Sequence, residues 1–583
     1  MRKKLKSMRS NRCMFSFLMT CFTVLLLQAQ KPNVILIVTD DQGYGEVAAH
    51  GNTKISTPEM DKLHNTGVRL DNFHVNSVCS PSRAALMTGR YATNVGVWHT
   101  LGSRNIVYKD AVMFPQFFQK EGYKTAMVGK WHLGDNYPYR PEDRGFEEVF
   151  RIGGGSLGQV ADYWANGLWD GHYLHNGTWV KTKGFCTDVQ FDAALDFIDT
   201  SKKDPFFLTI TTTAPHSPIG AGDEYLKPYL EMGLKDDVAK FYGMVTNIDD
   251  NIGRLRKKLE ALNLTENTIL VFMSDNGSAN DKKGDSFNGN MRGKKGSLYE
   301  GGHRVPCFLY WPAGGWTGGK ELQQVTAHID LLPTLLKACG IKNHFNVAFN
   351  GLELNDHIAN PSKELDRLLI TECKVNKRDS PFNSSVVLQD DWRLVGDDEL
   401  YNLEDDFAQT NNIIKANNDI QNTLAAYYTE WYEASKHRFE EFIALEIGNE
   451  KVELYSMDLY QGAMTQPKTK VIWNQKAVLK GEHYRGFWML DFEEKGTYQV
   501  RVRRWPDTEK YSLAIGPKKS KKLQINGAVL TVGGKEIKTA VSSKEQEAVF
   551  QVTFEAGEQR FQAEFVNEKG EQFSGYYVYL ERL

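Results

Sequence analysis

The sequence predicts an α/β protein built around a mostly parallel central β-sheet. Short continuous apolar runs, rich in β-branched and aromatic residues, recur along the first half of the chain, as expected of strands buried on both faces. Helical patterns lie between these runs, and this alternation is typical of a parallel sheet flanked by helices. Near residue 440 the pattern changes to a period of two, which predicts a second region made of β-strands.

The central strands are predicted at residues 33–39, 124–129, 205–213, 268–275 and 305–312. Helices are predicted between them, at 187–199 and 236–262, where apolar residues recur at helical spacing. In a sheet of this kind, ligands bind beyond the carboxyl ends of the strands. Polar residues that directly follow these strands are therefore the first candidates for a functional site.

A further helix is predicted within the segment VCSPSRAALMTGR. We expect Ser80 to be its N-cap, Pro81 its first helical residue and Gly89 the residue just past its end. Cys79 would then lie just outside the helix N-terminus, where free N–H groups and the helix dipole favour negative charge, and Arg83 would add a cation. This segment predicts a site for an anion.

Beyond residue 440, apolar residues alternate with polar ones in several short runs. Examples are residues 498–502, 550–554 and 561–565, and turn signals such as EEKG and EAGE separate the runs. We therefore predict an antiparallel β-sandwich over residues 441–583.

Composition and the first residues indicate an exported protein that does not bind nucleic acid. The 583 residues include 70 basic and 73 acidic side chains, so the net charge of −3 gives no electrostatic basis for nucleic-acid binding. A basic start and an apolar run at 14–27, too short for a comfortable membrane span, predict a signal peptide over residues 1–29. The mature chain is then expected in the periplasm or secreted, with no stable membrane insertion.

Of the 7 cysteines, Cys13 and Cys21 leave with the signal peptide, so 7 − 2 = 5 remain. An odd number means that at least one is not in an intramolecular disulfide, and Cys79 is our candidate. The spacing leaves the pairing of the others open.

Acidic residues end two of the predicted strands. Asp40 and Asp41 follow the first strand, and Asp275 and Asn276 follow the strand at 268–275. Adjacent buried carboxylates are costly without a cation. Three carboxylates and an amide oxygen form an all-oxygen ligand set, which favours Ca²⁺, with Mg²⁺ as the second choice.

Basic residues follow other strands at the same predicted edge. Lys130 and His132 come after the strand at 124–129, His216 comes after the strand at 205–213, and the segment RGKKGSLYEGG supplies Lys294 and Lys295. A lone histidine after a strand is more often structural than catalytic. Together with Arg83 and a metal ion, however, these groups would converge on Cys79 and suit a tetrahedral oxyanion.

These residues resemble the type I sulfatases of the alkaline phosphatase superfamily. The signature C-x-P-S-R followed by x-x-L-x-T-G-R is complete from Cys79 to Arg90, and GKWHLG, the strand-end Asp-Asp, Asp-Asn-Gly and KGSLYEGG are also present. The resemblance covers about residues 31–437, and Glu46 stands where the family often has Asp. It implies an alkaline phosphatase-like catalytic domain over 30–440, with a smaller C-terminal sulfatase subdomain that includes DDWRLV and ELYNLEDD.

The resemblance also implies that a separate maturation enzyme oxidises Cys79 to Cα-formylglycine. The hydrated aldehyde would attack sulfur with one hydroxyl, and the second would expel sulfate and regenerate the aldehyde. The implied Ca²⁺ ligands are Asp40, Asp41, Asp275 and Asn276, with an oxygen of residue 79 near the ion.

The family implies further roles for the basic side chains. Arg83 and Lys130 would steady the formylglycine, and His132 would act as the base in the step that releases sulfate. His216 and Lys295 would bind sulfate and help to protonate the leaving alcohol. Lys295 is chosen over Lys294 because it alone fits the motif K-G-x-x-Y-E-G-G.

Three alternatives remain open from the sequence. An unmodified Cys79 could be the thiolate nucleophile of a cysteine hydrolase, with His132 or His216 as its base. A phosphoester or phosphonate monoester hydrolase of the same superfamily could use the same residues. A binding protein without catalysis is the third, although all of the charged positions are retained.

Sulfated polysaccharides or oligosaccharides, such as algal polysaccharides or glycosaminoglycans, are the expected substrates by analogy with exported sulfatases that carry an added β-sandwich. The Gly- and aromatic-rich segment at 153–179 either shapes the leaving-group pocket, with Tyr163, Trp164 or Trp169 stacking on sugar rings, or packs against the core. The sandwich could bind carbohydrate, but packing against the catalytic domain is the role that we expect.

Overall fold

The computed structural model describes residues 31–280, 286–373, 381–448, 450–460 and 471–583. The predicted signal peptide, residues 1–29, lies outside the described residues. No helix in these ranges combines the length and apolar character needed to cross a membrane. The five cysteines in these ranges are buried, and none of them is paired in a disulfide.

The structure contains helices and strands along its whole described length. The α-helices are α1 (Pro58–Thr66), α2 (Cys79–Thr88), α3 (Phe114–Lys120), α4 (Cys186–Ser201), α5 (Asp223–Glu231), α6 (Asp236–Ala261), α7 (Glu300–His303), α8 (Leu331–Ala338), α9 (Asn355–Ala359), α10 (Asn418–Ser435) and α11 (Gln475–Lys480). The strands of the first part are β1 (Asn33–Thr39), β2 (Val68–Leu70), β3 (Phe73–His74), β4 (Lys124–Gly129), β5 (Glu148–Arg151), β6 (His172–His175), β7 (Thr178–Lys181), β8 (Phe206–Thr211), β9 (Thr268–Ser274), β10 (Cys307–Tyr310), β11 (Lys320–Leu322), β12 (Thr326–Ala327), β13 (Leu369–Glu372), β14 (Ser385–Gln389), β15 (Trp392–Val395) and β16 (Glu399–Asn402). Those of the last part are β17 (Leu445–Ile447), β18 (Val452–Tyr455), β19 (Trp488–Phe492), β20 (Gly496–Arg503), β21 (Ile525–Val532), β22 (Lys535–Ala540), β23 (Glu547–Phe554), β24 (Gly557–Asn567), β25 (Gln572–Ser574) and β26 (Tyr577–Arg582).

The central sheet has ten strands in the order β11-β2-β10-β9-β1-β8-β4-β5-β6-β7. Strand β1 is parallel to both of its neighbours, β8 and β9, and β4 is parallel to β8 and β5. This arrangement confirms the predicted mostly parallel sheet. The run at 305–312 was expected to be another parallel strand, but β10 pairs antiparallel with β9 and β2. An apolar run reports burial on both faces and does not specify strand direction.

Both faces of the sheet are covered, which explains the continuous apolar runs. Along β1, Val34, Leu36 and Val38 belong to one hydrophobic cluster, and Ile35 and Ile37 belong to another. The first cluster includes residues of α2, α3 and α8, and the second includes residues of α4 and α6. Successive side chains therefore point to helices on opposite faces.

A separate four-stranded antiparallel sheet, β13-β14-β15-β16, contains the DDWRLV and ELYN segments. Its buried residues, such as Val387 and Leu394, share the first hydrophobic cluster with the catalytic-region helices. This sheet corresponds to the expected C-terminal subdomain.

The last region contains two further sheets, ordered β17-β19-β24-β21-β22 and β18-β26-β20-β23, with β25 paired to β24. Alternate residues of β23 are buried, as the period of two predicts. The pairs are antiparallel except β17 with β19, which is parallel. The boundary at residue 441 remains a prediction.

Candidate active site

Three carboxylates meet at the carboxyl ends of β1 and β9. These two strands are parallel neighbours with Thr39 opposite Ser274, so the residues that follow them emerge side by side. Oxygen atoms of Asp40, Asp41 and Asp275 lie within 4.8 Å of one another, and all three residues are buried. The structure therefore brings together the acidic groups that the strand ends predict.

Asn276 completes this group of oxygen atoms. Its amide donates a hydrogen bond to Asp41 Oδ1 at 2.8 Å, while its own Oδ1 is buried and has no hydrogen-bond partner. A buried acceptor without a donor is unfavourable unless a cation or another donor satisfies it. Three carboxylates and this oxygen thus fit a hard divalent cation.

Positive side chains from three other parts of the chain neutralise the carboxylates. Lys130 Nζ lies 2.9 Å from both oxygens of Asp40, Lys295 Nζ lies 2.6 Å from Asp41 Oδ1, and Arg83 lies 2.8 Å from Asp275 Oδ2. Lys294, in contrast, is exposed. Lys295, the lysine that the motif selects, therefore contacts one of the predicted metal ligands, and its role in the reaction remains a prediction.

The same contacts set the protonation of the carboxyl groups. Burial raises the pKa of Asp40 to about 7, although Lys130 acts in the opposite direction. Burial also disfavours the charged form of Asp41, but Lys295 and His216 outweigh it and hold its pKa below its ordinary value. Below about pH 7, Asp40 therefore carries a proton while the neighbouring Asp41 stays ionised over much of the acidic range.

Helix α2 begins two residues earlier than the sequence predicts. Its N-cap is Val78, so Cys79 is the first helical residue and Ser80 is inside the helix. The Ser80 hydroxyl is buried without a hydrogen-bond partner and does not cap the helix. Gly89, with φ of 65°, ends the helix as predicted. Cys79 still occupies the N-terminal turn, where free N–H groups face the site.

His132 is the side chain that contacts Cys79. Its Nδ1 lies 3.4 Å from Cys79 Sγ, and its Nε2 lies 3.0 Å from the carbonyl oxygen of Thr100. Because a carbonyl can only accept, Nε2 carries the proton and Nδ1 presents a lone pair to residue 79. Burial lowers the pKa of His132 well below its ordinary value, and Lys130 and Arg83 lower it further. The ring is therefore neutral and can accept a proton at Nδ1.

His216 faces the same carboxylates from the loop after β8. Its Nε2 lies 3.7 Å from Asp41 Oδ2, and its Nδ1 donates to the carbonyl oxygen of Ser217 at 2.7 Å. Arg83 is tied to a neighbouring element as well, since it donates to the carbonyl oxygen of Lys130 at 3.0 Å. All ten residues singled out from the sequence thus lie at one edge of the central sheet.

Sequence reasoning missed the contact that Gly155 makes with His132. A Cβ atom added at Gly155 would lie 2.3 Å from three atoms of the imidazole ring. The backbone of the Gly-rich segment therefore lies directly against the ring, and only glycine fits there. The run of three glycines at 153–155 is the one signal in the sequence that could have indicated such a close approach.

The aromatic residues of the 153–179 segment divide between the two expected roles. Trp164 is buried and packs edge-on against Trp505, and Tyr163 stacks on His172. Trp169 is 48% exposed, and its ring lies beside Gly220 in the loop that carries His216. Of the three candidates, Trp169 is therefore the one available to a ligand.

A second group of metal-type ligands, His74, Glu300 and His303, lies outside this site. Its carboxylate is already paired with Arg393 at 2.7 Å and also contacts Arg304. Another cation would add charge beside these two arginines. The group is best described as a buried hydrogen-bond network.

Comparison with known proteins identifies relatives over most of the catalytic region. A family model described as Sulfatase matches residues 32–341. Human N-acetylgalactosamine-6-sulfatase is 32% identical over 349 residues, which represent 56% of this chain and 65% of that protein, and the rat protein is 31% identical with the same coverage. The chain thus spans 65% of the length of these curated relatives.

Solved structures extend the similarity to the fold. The crystal structure of Ps i-CgsB in complex with k-i-k-neocarrahexaose is 30% identical, with a TM-score of 0.62, and the match covers 69% of this chain and 93% of that chain. PsFucS1 sulfatase from Pseudoalteromonas sp. is 20% identical with a TM-score of 0.59 over 75% and 96% of the two chains, which shows a shared fold alone.

Proposed function

The chain belongs to the sulfatase family of the alkaline phosphatase superfamily, and we propose that it hydrolyses sulfate monoesters of carbohydrates at the site around Cys79. The observation that carries this proposal is the convergence of Cys79, a neutral histidine, three carboxylates and three cations at one edge of the sheet. The three carboxylates and three cations balance in charge, so a bound divalent cation would make this buried site net positive and suited to a sulfate monoester anion.

We assign the metal ligands to Asp40, Asp41, Asp275 and Asn276, with residue 79 adjacent, and propose Ca²⁺ ahead of Mg²⁺. The unpartnered Asn276 Oδ1 and the converging carboxylates support this assignment. When bound, the ion would polarise the sulfate oxygens and favour negative charge on the nucleophile. Lys130, Lys295 and Arg83 would keep the carboxylates oriented.

We further propose that Cys79 is matured to Cα-formylglycine by a separate enzyme. The hydrated aldehyde would supply a hydroxyl nucleophile that can be regenerated after each turnover. Its position in the first turn of α2, near Arg83 and Lys295, supports a role that involves negative charge on residue 79.

The histidines and lysines then have distinct tasks. His132 Nδ1, which holds a lone pair toward residue 79, would accept a proton from that residue. His216 Nε2 and Lys295 Nζ, which both contact Asp41, would bind the sulfate oxygens and deliver a proton to the departing alcohol. In this proposal one group accepts a proton from residue 79 while another supplies a proton to the alcohol.

Sulfated polysaccharides or oligosaccharides are the proposed substrates. Two findings support this class: relatives include N-acetylgalactosamine-6-sulfatases and a protein crystallised with k-i-k-neocarrahexaose, and Trp169 is exposed beside the His216 loop. Aromatic rings stack well on the apolar faces of sugars. The predicted signal peptide, residues 1–29, supports export of the mature chain to the periplasm or beyond.

Parallel assays of the matured, Ca²⁺-loaded protein with aryl sulfate and aryl phosphate esters test the proposal. We expect sulfate release to exceed phosphate release, and a screen of defined sulfated oligosaccharides to identify the sugar and the position. Hydrolysis of the phosphate ester alone would contradict the proposal in favour of a phosphoester hydrolase.

A further inference from the structure

The orientation of His132 depends on two loops that are distant in sequence. One loop supplies the Thr100 carbonyl oxygen, which accepts the hydrogen bond from His132 Nε2 at 3.0 Å. The other supplies Gly155, whose backbone lies against the face of the ring. Together they fix both the rotation of the imidazole and its distance from Cys79. The contacts that fix the positions of these two loops therefore also keep His132 in place beside Cys79.

The first loop is anchored on the C-terminal region. The Gly102 backbone N–H donates to the carbonyl oxygen of Met457 at 2.8 Å, and the Ser103 hydroxyl donates to that of Asp458 at 2.6 Å. Ser103 has φ of 56°, so it occupies a backbone conformation that needs support from its surroundings. Both anchors lie within three residues of Thr100.

The second loop is anchored on the same region by different residues. Gly155 N–H donates to Gln159 Oε1 at 2.6 Å, and the Gln159 carbonyl oxygen accepts a hydrogen bond from Gln475 Nε2 at 3.0 Å. The next residue, Val160, donates its N–H to the carbonyl oxygen of Trp473 at 3.1 Å. A short chain of hydrogen bonds thus connects the C-terminal region to the face of His132.

Gln475 is the centre of this second anchor. Its buried amide group donates to the carbonyl oxygens of Gln159, Asp162 and Tyr163 at 3.0–3.1 Å. Its Oε1 accepts from the N–H of Ala165 at 2.8 Å. One side chain therefore contacts four backbone groups of the loop, although the carbonyl oxygens of Gln159 and Tyr163 also accept from the backbone N–H groups of Asp162 and Asn166.

Apolar packing also joins the second loop to the C-terminal region. Val160, Ala161 and Trp164 of the second loop belong to the hydrophobic cluster of the C-terminal sheets. Trp164 packs edge-on against Trp505, with ring centroids 5.2 Å apart. Packed interiors transmit displacements instead of absorbing them, so a shift of the C-terminal sheets would move the loop.

From these contacts we propose that the C-terminal region is a positioning element of the active site, in which Ser103 and Gln475 fix the loops that aim His132 Nδ1 at residue 79. The inference rests on the proposed function, because it concerns the efficiency of that reaction. It differs from a carbohydrate-binding role, in which loss of contact with this region would weaken substrate binding and leave the turnover of bound substrate unchanged.

Two substitutions test the inference in the full-length protein. Ser103→Ala removes one hydroxyl donor, and Gln475→Leu removes the amide while keeping a similar volume. We expect kcat to fall about 10- to 100-fold in each, since roughly 1 Å of misplacement costs that much, while KM changes less than about twofold. Lys109→Met is the matched control, because it removes the 2.6 Å contact with Glu446 of the C-terminal region and touches neither loop.

The outcomes separate the inference from the proposed function. If both variants keep the wild-type kcat, whether or not KM rises, the positioning role is overturned. The proposed sulfatase activity is not affected by that result. If Gln475→Leu fails to fold, Ser103→Ala alone decides. A wild-type enzyme that is inactive on every sulfate ester refutes the proposed function instead. In that case a crystal structure of Ser103→Ala decides the inference: a displaced His132 ring supports it, and an unmoved ring overturns it.

Discussion

Cys79 and His132 form the pair on which the chemistry of the site depends. The 3.4 Å contact between Cys79 Sγ and His132 Nδ1 places a neutral base beside the residue that carries the proposed nucleophile. The cysteine is 4% exposed and lies in the first turn of α2, so it is both protected and near the positive end of the helix. A substrate must therefore reach a largely buried atom in order to react at this position.

Replacement of Cys79 by alanine is expected to abolish turnover and leave the fold intact. The change removes the nucleophile and only a small volume from a site that is held by ion pairs between other residues. Hydrolysis of an aryl sulfate measures the effect, and the thermal unfolding midpoint reports the fold. Cys186→Ala, at a buried cysteine of α4, is the control and should retain activity. Full activity of Cys79→Ala would refute the assigned role.

Binding of Ca²⁺ is expected to weaken as the pH falls below 7. The raised pKa of Asp40, about 7, means that the metal-free protein keeps a proton on this carboxyl group up to that pH. Because the ion needs the carboxylate, proton and ion compete, and the affinity should fall about tenfold from pH 8 to pH 6. Isothermal titration of the EDTA-treated protein at the two pH values measures this change.

The isosteric variant Asp40→Asn provides the control for this titration, because it has no proton to lose. It should bind Ca²⁺ more weakly than the wild type and show little change between pH 6 and pH 8. Equal wild-type affinity at both pH values would exclude Asp40 as a ligand that must be deprotonated.

The loop that carries Gly155 lies so close to the His132 ring that no larger residue fits at this position. Gly155→Ala would place a methyl group 2.3 Å from the His132 ring, so the ring must leave its position beside Cys79. We expect a loss of about 100-fold in kcat, in line with roughly 1 Å of misplacement, and little change in the unfolding midpoint. Gly167→Ala is the control in the same segment, since a Cβ atom there meets nothing within 4 Å. Equal activity of the two variants would show that Gly155 does not support the ring.

Part of this arrangement is predictable from the sequence. The strand-end acids were found because apolar runs mark buried strands and parallel neighbours bring their ends together. The start of α2 lies two residues before the predicted one, because Ser80 and Pro81 resemble an N-cap and a first helical residue but both lie inside the helix. The contacts of His132 with Thr100 and Gly155 were not predictable, since they depend on where two irregular loops lie in the folded chain.

At the scale of the whole molecule, the C-terminal sheets share a core with the catalytic region. Ile106, Tyr139 and Val160 belong to the same hydrophobic cluster as residues of β20, β23 and β24. Ion pairs and hydrogen bonds add to this interface, including the Tyr139 hydroxyl, which donates to the carbonyl oxygen of Ala444 at 2.7 Å. The two regions are therefore packed together and not simply linked.

Truncation of the chain after residue 440 is expected to give insoluble protein. It would expose the apolar residues that the C-terminal sheets cover, and contiguous exposed apolar surface favours aggregation. Comparison of soluble yields of the truncated and full-length chains measures the effect. A soluble truncated enzyme that desulfates small substrates normally but binds polymers weakly would instead support a carbohydrate-recognition role.

The mass of the Cys79 peptide from active enzyme tests the central claim most directly. Conversion of the thiol to the aldehyde lowers this mass by about 18 Da, because CH₂–SH becomes CHO. We predict that shift in enzyme that hydrolyses sulfate esters. An active enzyme whose Cys79 peptide retained the full mass of an unmodified cysteine would contradict the account.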